Sequence, residues 1–282
     1  MTLKNLIKIS RPRFWLYAGG TFIVGAVAGA SSIYDLANVR VMVFLLYFII
    51  PANIFIYGIN DLYDTDTDPL NPKKGEKEHL LKSAESKVLR LWVYVCILLG
   101  IQLIFWAPNL PTKILIGTFL FLAWAYSSNP FRFKAKPFID ALSNVHYAVI
   151  GFAGYSMLSG EWPPLWAVIA AWSWTASMHI FSAIPDIEAD AEAKLTTTAI
   201  FFGHTKSFIL CSLLWVVTGV SLYFGDFYSP LSLIITAVYI VVPLLLIGKP
   251  RQTLVRVYWY FPIINGVVGF ILFWAIALKI LI

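Results

Sequence analysis

NIFIYGINDLYDTDTDPLNPKKGEKE, residues 53–78, is the stretch whose reading decides the fold. An apolar run from Val41 to Ile59 ends abruptly in Asn60, Asp61, Asp64, Asp66 and Asp68, and Lys73, Lys74 and Lys77 follow at once. If a helix continues through the acids, Asp61, Asp64 and Asp68 stand at i, i+3 and i+7 and share one face, while Asp66 points elsewhere. Carboxylates that close repel one another unless cations lie between them. Oxygen-only ligands select a hard ion, and Mg²⁺ held by a few carboxylates commonly holds a substrate phosphate too. The expectation is a Mg²⁺-diphosphate site at the mouth of a membrane helix.

Working outward, the composition agrees with a membrane setting. Of 282 residues, 59% are hydrophobic and only 13% charged, with a mean hydropathy of +0.76. Soluble domains carry roughly 25% charged residues, so the chain reads as an all-α polytopic membrane protein. Nine apolar runs are long enough to cross, at about 14–33, 41–61, 88–107, 112–128, 138–158, 164–185, 206–224, 230–248 and 257–281. No long soluble domain flanks them, so residues 1–282 are expected to form a single transmembrane domain. The basic N-terminal segment precedes an apolar run without a small-residue cleavage site, and reads as a retained first helix. Cys96 and Cys211 both fall inside apolar runs, which argues against a disulfide framework or a thiolate metal site.

Eighteen of the 21 Lys and Arg fall at the N-terminus or in loops after even-numbered runs, which puts those segments in the cytoplasm and the C-terminus outside. The net charge of +6 thus reflects topology in the cytoplasmic membrane and contact with anionic lipid, and calls for no nucleic-acid partner. Twelve of the 15 acids lie on the same side, which lysine-driven topology does not require. Both signs concentrate on one face, as a phosphate site needs.

A second acidic cluster ends the sixth run. Asp186 and Asp190 are one turn apart, with Glu188 pointing away; the same face traced back into the membrane carries Ser182, His179 and Thr175. The second run has a comparable stripe of Asn60, Tyr57 and Asn53. A polar stripe on a membrane helix should look into protein or water. Asp61 and Asp186 lie four spans apart, so the two acidic ends read as a pseudo-repeat whose carboxylates face one another across a diphosphate.

Taken together, Asn60-Asp61-x-x-Asp64-x-x-x-Asp68, the later Asp186-x-x-x-Asp190, Ser10-Arg11-Pro12 before the first run and nine spans resemble the UbiA superfamily of intramembrane prenyltransferases. The resemblance covers essentially the whole chain. Within it, Pro12-Arg13-Phe14-Trp15, Asn71-Pro72-Lys73-Lys74-Gly75, Ser182-Ala183-Ile184-Pro185-Asp186 and Thr197-Thr198-Ala199 are similar to the branch that attaches C5 units to the ends of lycopene. The resemblance implies nine helices around a central cavity, a prenyl diphosphate donor, and a hydrophobic isoprenoid or aromatic acceptor. Two positions depart from the pattern of many relatives. Pro130 stands where they place a lysine, with Arg132 and Lys134 following, and lysines replace arginine after the first motif.

On that footing Asn60, Asp61, Asp64, Asp68, Asp186 and Asp190 are the expected Mg²⁺ ligands, with Asp61, Asp64, Asp186 and Asp190 central to catalysis. Arg11, Lys73, Lys74, Arg132 and Lys134 are expected around the diphosphate. Tyr57, Tyr126 and Tyr147 offer aromatic faces to an allylic cation, and Asn53, Asn144, His179 and Ser182 complete the pocket. Blander roles stand beside these: a solvated acidic loop for the carboxylates and a hydrogen-bonded packing residue for His179, with His146, like Asn144, read as pocket lining and not as catalytic. Asp140, just after Lys136-Pro137, can cap a helix or orient a lysine. An aromatic polyprenyltransferase is the nearest alternative activity. A cation-coupled transporter is the remote one, because the acids lie at helix ends and not at the midplane.

Overall fold

The computed structural model describes residues 1–65, 78–225 and 230–281; Asp66, Asp68, Lys73, Lys74, Glu76 and Lys77 lie outside the described residues. Every regular element among the described residues is a helix. In chain order these are α1 (Leu3–Ile9), α2 (Thr21–Gly29), α3 (Val39–Ile49), α4 (Pro51–Tyr63), α5 (Ser86–Trp106), α6 (Leu110–Ser127) and α7 (Ile139–Ser143). There follow α8 (His146–Ser159), α9 (Leu165–Ala183), α10 (Ile187–Glu192), α11 (Thr198–Phe224), α12 (Pro230–Leu246) and α13 (Arg251–Leu281). Six helical stretches among the described residues are long and apolar enough to cross a membrane: Val39–Tyr63, Ser83–Trp106, Leu110–Ser127, Leu165–Glu192, Thr198–Phe224 and Arg251–Leu281. The three other expected runs are helical but short or broken. The first splits into a turn at Pro12–Phe14, a wide turn at Leu16–Gly20 and α2, the fifth splits into α7 and α8, and the eighth is α12.

Helix α5 shows why the solvent must be lipid. Leu89, Val93, Cys96, Gly100 and Leu103 are buried at alternating spacings of four and three, yet the other side exposes Leu91, Tyr94, Leu98 and Phe105. A helix apolar all round is stable only inside a large core or a bilayer.

The chain divides into two compact units. The first comprises Met1–Phe131, Val149–Trp162 and Asn265–Ile282. In it the apolar run before the acids is broken at Pro51, whose ring and missing N–H cannot continue α3. Asn53 repairs the break: its Nδ2 donates to the carbonyls of Phe48 at 2.9 Å and Ile49 at 2.8 Å. The bent pair α3–α4 thereby carries Asn60 and Asp61 to its end.

Helix α2 packs on the later part of α8 through bare backbone. A Cβ added to Gly25 would lie 1.8 Å from the Gly151 carbonyl oxygen, and one added to Gly154 would lie 2.3 Å from that of Phe22. Small residues that let membrane helices approach this closely supply packing that lipid does not. Gly25→Ala is therefore expected to lower the midpoint of thermal unfolding in detergent by several degrees, because only backbone can yield; overpacking costs about 1–3 kcal/mol even where side chains can move. Gly269→Ala, with open space around its Cβ, should leave the midpoint unchanged.

The second unit comprises Arg132–Ala148 and Pro163–Ile264. Helices α9 and α11 are joined by small polar contacts: Ser173 and Thr218 hydroxyls lie 2.9 Å apart, and Ser177 Oγ donates to the Cys211 carbonyl at 2.9 Å. Near the end of α9, Phe181 packs on Trp215 (ring centroids 6.0 Å) and Phe261 (4.5 Å), and Tyr239 completes the group at 5.3 Å from Trp215. All four are almost fully buried. This aromatic core fixes the end of α9 from which Asp186 follows.

Candidate functional site

The first acidic cluster lies in the first unit. Helix α4 ends at Tyr63, and Asp64 is its C-cap, with φ −110° and ψ 17°. The expected continuation of one helix face through Asp64 to Asp68 therefore stops at the cap, with Asp68 outside the described residues. Asp61 and Asp64 are both buried. At a helix C-terminus they meet the negative end of the backbone dipole, which sharpens the demand for positive charge.

Arg11 answers part of that demand. Its backbone is left-handed (φ 48°), a strained conformation for a residue with a Cβ, between Ser10 at the end of α1 and the turn begun by Pro12. The guanidinium donates to Asp61 Oδ1 at 3.2 Å, lies 3.1 Å from Glu78 Oε2 and stacks 4.5 Å above the Tyr57 ring. Arg13 lies 3.8 Å from the other oxygen of Glu78 and 4.2 Å above Phe14. Asn60 Nδ2 reaches Ser127 Oγ at 3.4 Å, next to half-buried Tyr126. Asn53, expected to line a pocket, has its amide nitrogen engaged at the α3–α4 break.

The second cluster lies in the second unit. Pro185 ends α9, the turn Ile184–Asp186 follows, and Asp186 is the N-cap residue of α10, whose first turn carries Glu188 and Asp190. Arg251, at the start of α13, donates from Nε to the Pro185 carbonyl at 2.8 Å and places its terminal nitrogen 3.9 Å from Asp186 Oδ1. Sequence reasoning counted Arg251 among the topology signals; the available hint was its position on the acidic side just before a long span. Glu188, off the Asp186 face, pairs with His204 at 2.8 Å at the surface. Arg132, with left-handed φ 39°, begins the turn Phe133–Ala135 that contains Lys134, and both side chains are half-buried.

Below Asp186 the polar stripe divides. The hydroxyls of Thr175 and Ser182 return to their own helix, at the carbonyls of Trp172 (3.1 Å) and His179 (2.7 Å). His179 instead reaches out, with Nε2 3.3 Å from Asp140 Oδ2. Asn144 Nδ2 donates to the Thr175 carbonyl at 3.2 Å, and the Tyr147 ring lies 4.2 Å from that of His146. Asp140 is fully buried and also accepts from Thr198, both from its backbone N–H at 2.9 Å and from its hydroxyl. That residue was read as a cap or lysine partner; it joins α7, α9 and the N-terminus of α11.

Among the described residues no three His, Cys, Asp or Glu side chains lie close enough to form a metal cage by themselves. The donors at each acidic end are nonetheless oxygen atoms without sulfur or imidazole. That set suits a hard divalent ion which keeps part of its shell for water and phosphate.

Comparison with known proteins places these observations. Residues 18–261 match the UbiA prenyltransferase family. The chain is 40% identical to a lycopene elongase/hydratase of Haloferax volcanii, over 96% of this chain and 87% of that one. It is 37% identical to the protein of the same description from Halobacterium salinarum, over 95% of each chain. Among solved structures, a UbiA homolog from Archaeoglobus fulgidus bound to GPP and Mg²⁺ superposes with a TM-score of 0.72 at 23% identity, over 97% of this chain and 99% of that one. An apo UbiA homolog from Aeropyrum pernix gives 0.70 at 18% identity, over 93% and 98%. Both share the all-helical membrane fold described above.

Proposed function

From the premise that this chain belongs to the UbiA prenyltransferase family, we propose that it transfers a dimethylallyl group from its diphosphate to the ends of lycopene or a related carotenoid. The observation that carries this reading is the near full-length likeness to the haloarchaeal lycopene elongase/hydratases. Family membership makes the protein a transferase and leaves no place for the transporter alternative.

Asn60, Asp61, Asp64 and Asp68 at one acidic end, and Asp186 and Asp190 at the other, would hold Mg²⁺. The ion supplies neutralisation of the charge that develops on the departing diphosphate. Arg11, Lys73, Lys74, Arg132 and Lys134 are the cations that the sequence offers to the diphosphate, and Arg251 lies beside Asp186. Tyr57, Tyr126 and Tyr147 present ring faces to the allylic fragment and keep out water that would quench it. Residues 1–282 act as one transferase domain in the cytoplasmic membrane. The N-terminus and both acidic ends face the cytoplasm, which the distribution of 18 of 21 basic residues supports.

Expression in a host that accumulates lycopene tests the acceptor directly. Chromatography of extracted carotenoids is expected to show C45 and C50 products that require dimethylallyl diphosphate and disappear on chelation of divalent ions. Activity only with a long polyprenyl diphosphate and 4-hydroxybenzoate would replace this reading with the aromatic one.

A further inference from the structure

The unit that carries Asp186 and Asp190 also holds a buried carboxylate and imidazole to which the metal-diphosphate site gives no task. We propose that His179, oriented by Asp140, is the base that accepts the proton released when the coupled product is formed. This rests on the transfer reaction proposed above and names a residue for its last step.

Coupling makes such a base necessary. As the allylic C–O bond breaks, the diphosphate leaves with the bonding electrons. The π pair of a terminal C=C of the acceptor then forms the new C–C bond, which leaves a tertiary cation on the acceptor's other alkene carbon. A neutral product forms when an adjacent C–H bond gives its electron pair to a new C=C and its proton to a base. In a hydrocarbon interior few groups can take that proton, and an isolated imidazolium would be costly there.

His179 meets these conditions through three observations. First, it lies near the end of α9, in the same unit as Asp186, which follows α9 through the turn Ile184–Asp186. The donor's reacting carbon is the one bonded to the diphosphate oxygen, so the acceptor C–H that gives up its proton lies a few bonds deeper than a diphosphate anchored at Asp186. Second, the carboxylate of Asp140 only accepts hydrogen bonds, so the 3.3 Å contact fixes the proton of neutral His179 on Nε2 and places the basic lone pair on Nδ1. Third, Asp140 is itself immobilised. It is 0% exposed and receives both donors of Thr198 at the start of α11, whose own hydroxyl accepts from the Phe138 N–H at 2.7 Å. The charge that compensates an imidazolium is thus built in and held by a helix N-terminus. Thr175 and Ser182, on the same stripe, bond only to their own helix in the contacts described and offer no base of comparable strength. After proton transfer to Nδ1, the proton passes to water when product leaves.

The C–C bond is already formed when the proton is lost, so the ratio of alkene-ended to hydroxyl-ended C45 and C50 carotenoid isolates the step. Membranes bearing the wild-type chain, His179→Gln, Asp140→Asn or His179→Ala are supplied with dimethylallyl diphosphate, Mg²⁺ and lycopene. His179→Gln is expected to lower alkene-ended C45 and C50 product about 100-fold, the usual scale for loss of a general base, with the coupled cation taken instead by water to hydroxyl-ended C45 or C50 carotenoid. Asp140→Asn should shift the ratio in the same direction by about 10-fold, and imidazole added to His179→Ala should restore alkene-ended product, which a packing role would not allow. A wild-type ratio in His179→Gln, a wild-type ratio in Asp140→Asn, or no rescue by imidazole would each overturn the assignment. Wild-type membranes that release pyrophosphate but make no C45 or C50 carotenoid would overturn the acceptor reading itself and this step with it.

Discussion

Asp64→Ala and Asp186→Ala are each expected to abolish Mg²⁺-dependent pyrophosphate release, by at least about 1,000-fold, while the protein remains inserted and folded. The size of the effect follows from what the carboxylates must do. An allylic diphosphate ionises only if the charge on its leaving oxygens is neutralised, and loss of a single preorganised stabilising group commonly costs 10²–10³-fold, equal to roughly 3–4 kcal/mol of barrier. A missing ligand also lowers occupancy of the ion, so the two losses multiply. Folding should survive for local reasons. Asp64 is the cap of a helix already terminated at Tyr63, and its like-signed neighbour Asp61 is one turn away, so alanine removes repulsion along with function. Asp186 follows Pro185, which breaks the helix whatever comes next. Size-exclusion profiles and helical circular dichroism in detergent, alongside a pyrophosphate assay, check both halves. Turnover retained in both variants would remove the acidic ends from the mechanism.

How much of this was legible in the sequence depended on range. The acidic ends, the apolar runs and the charge asymmetry are properties of neighbouring residues, and a reader of residues 41–78 or 175–190 has all that is needed to see them. The membrane fold and the family followed from those segments together with Ser10-Arg11-Pro12, the apolar composition and the number of spans. A helix running on through the acids was only a condition in that reading, and the acids that mark the site also terminate the helix. Carboxylates crowded at its negative end, with Asp and Thr favouring caps and turns, stop it at Tyr63. Contacts between distant segments were out of reach. Asp140 meets Thr198 across 58 positions, and Arg251 meets the Pro185 carbonyl across 66. Nothing local distinguishes Arg251 from the other basic residues that set topology, nor Asp140 from an ordinary cap. Asn53 was read as pocket lining from its place on a polar stripe; the kink at Pro51, two residues before it, gives its amide nitrogen a backbone task.

Arg11→Gln is expected to lower kcat/KM for the allylic diphosphate about 100-fold, chiefly through KM. Arg11 is the cation on the first acidic end with the most contacts described: two carboxylates within 3.2 Å and an aromatic face at 4.5 Å, on a strained left-handed backbone. Truncating one member of a largely buried charge pair costs about 2–5 kcal/mol, much of it from the charge left behind, which brackets the figure given. Because the guanidinium lies against Asp61, it occupies the edge of the acidic end at which an anion would arrive. Its planar fork can keep one donor on a carboxylate while another turns to phosphate. Arg11→Lys should therefore recover only part of the loss, since a point charge cannot serve Asp61, Glu78 and the Tyr57 face together. Steady-state pyrophosphate release against donor concentration, paired with thermal unfolding, separates the two possible roles. A fall in unfolding midpoint with KM unchanged would make Arg11 a counter-ion for Asp61 alone, whereas a raised KM with the midpoint held within a few degrees identifies it as a ligand of the diphosphate.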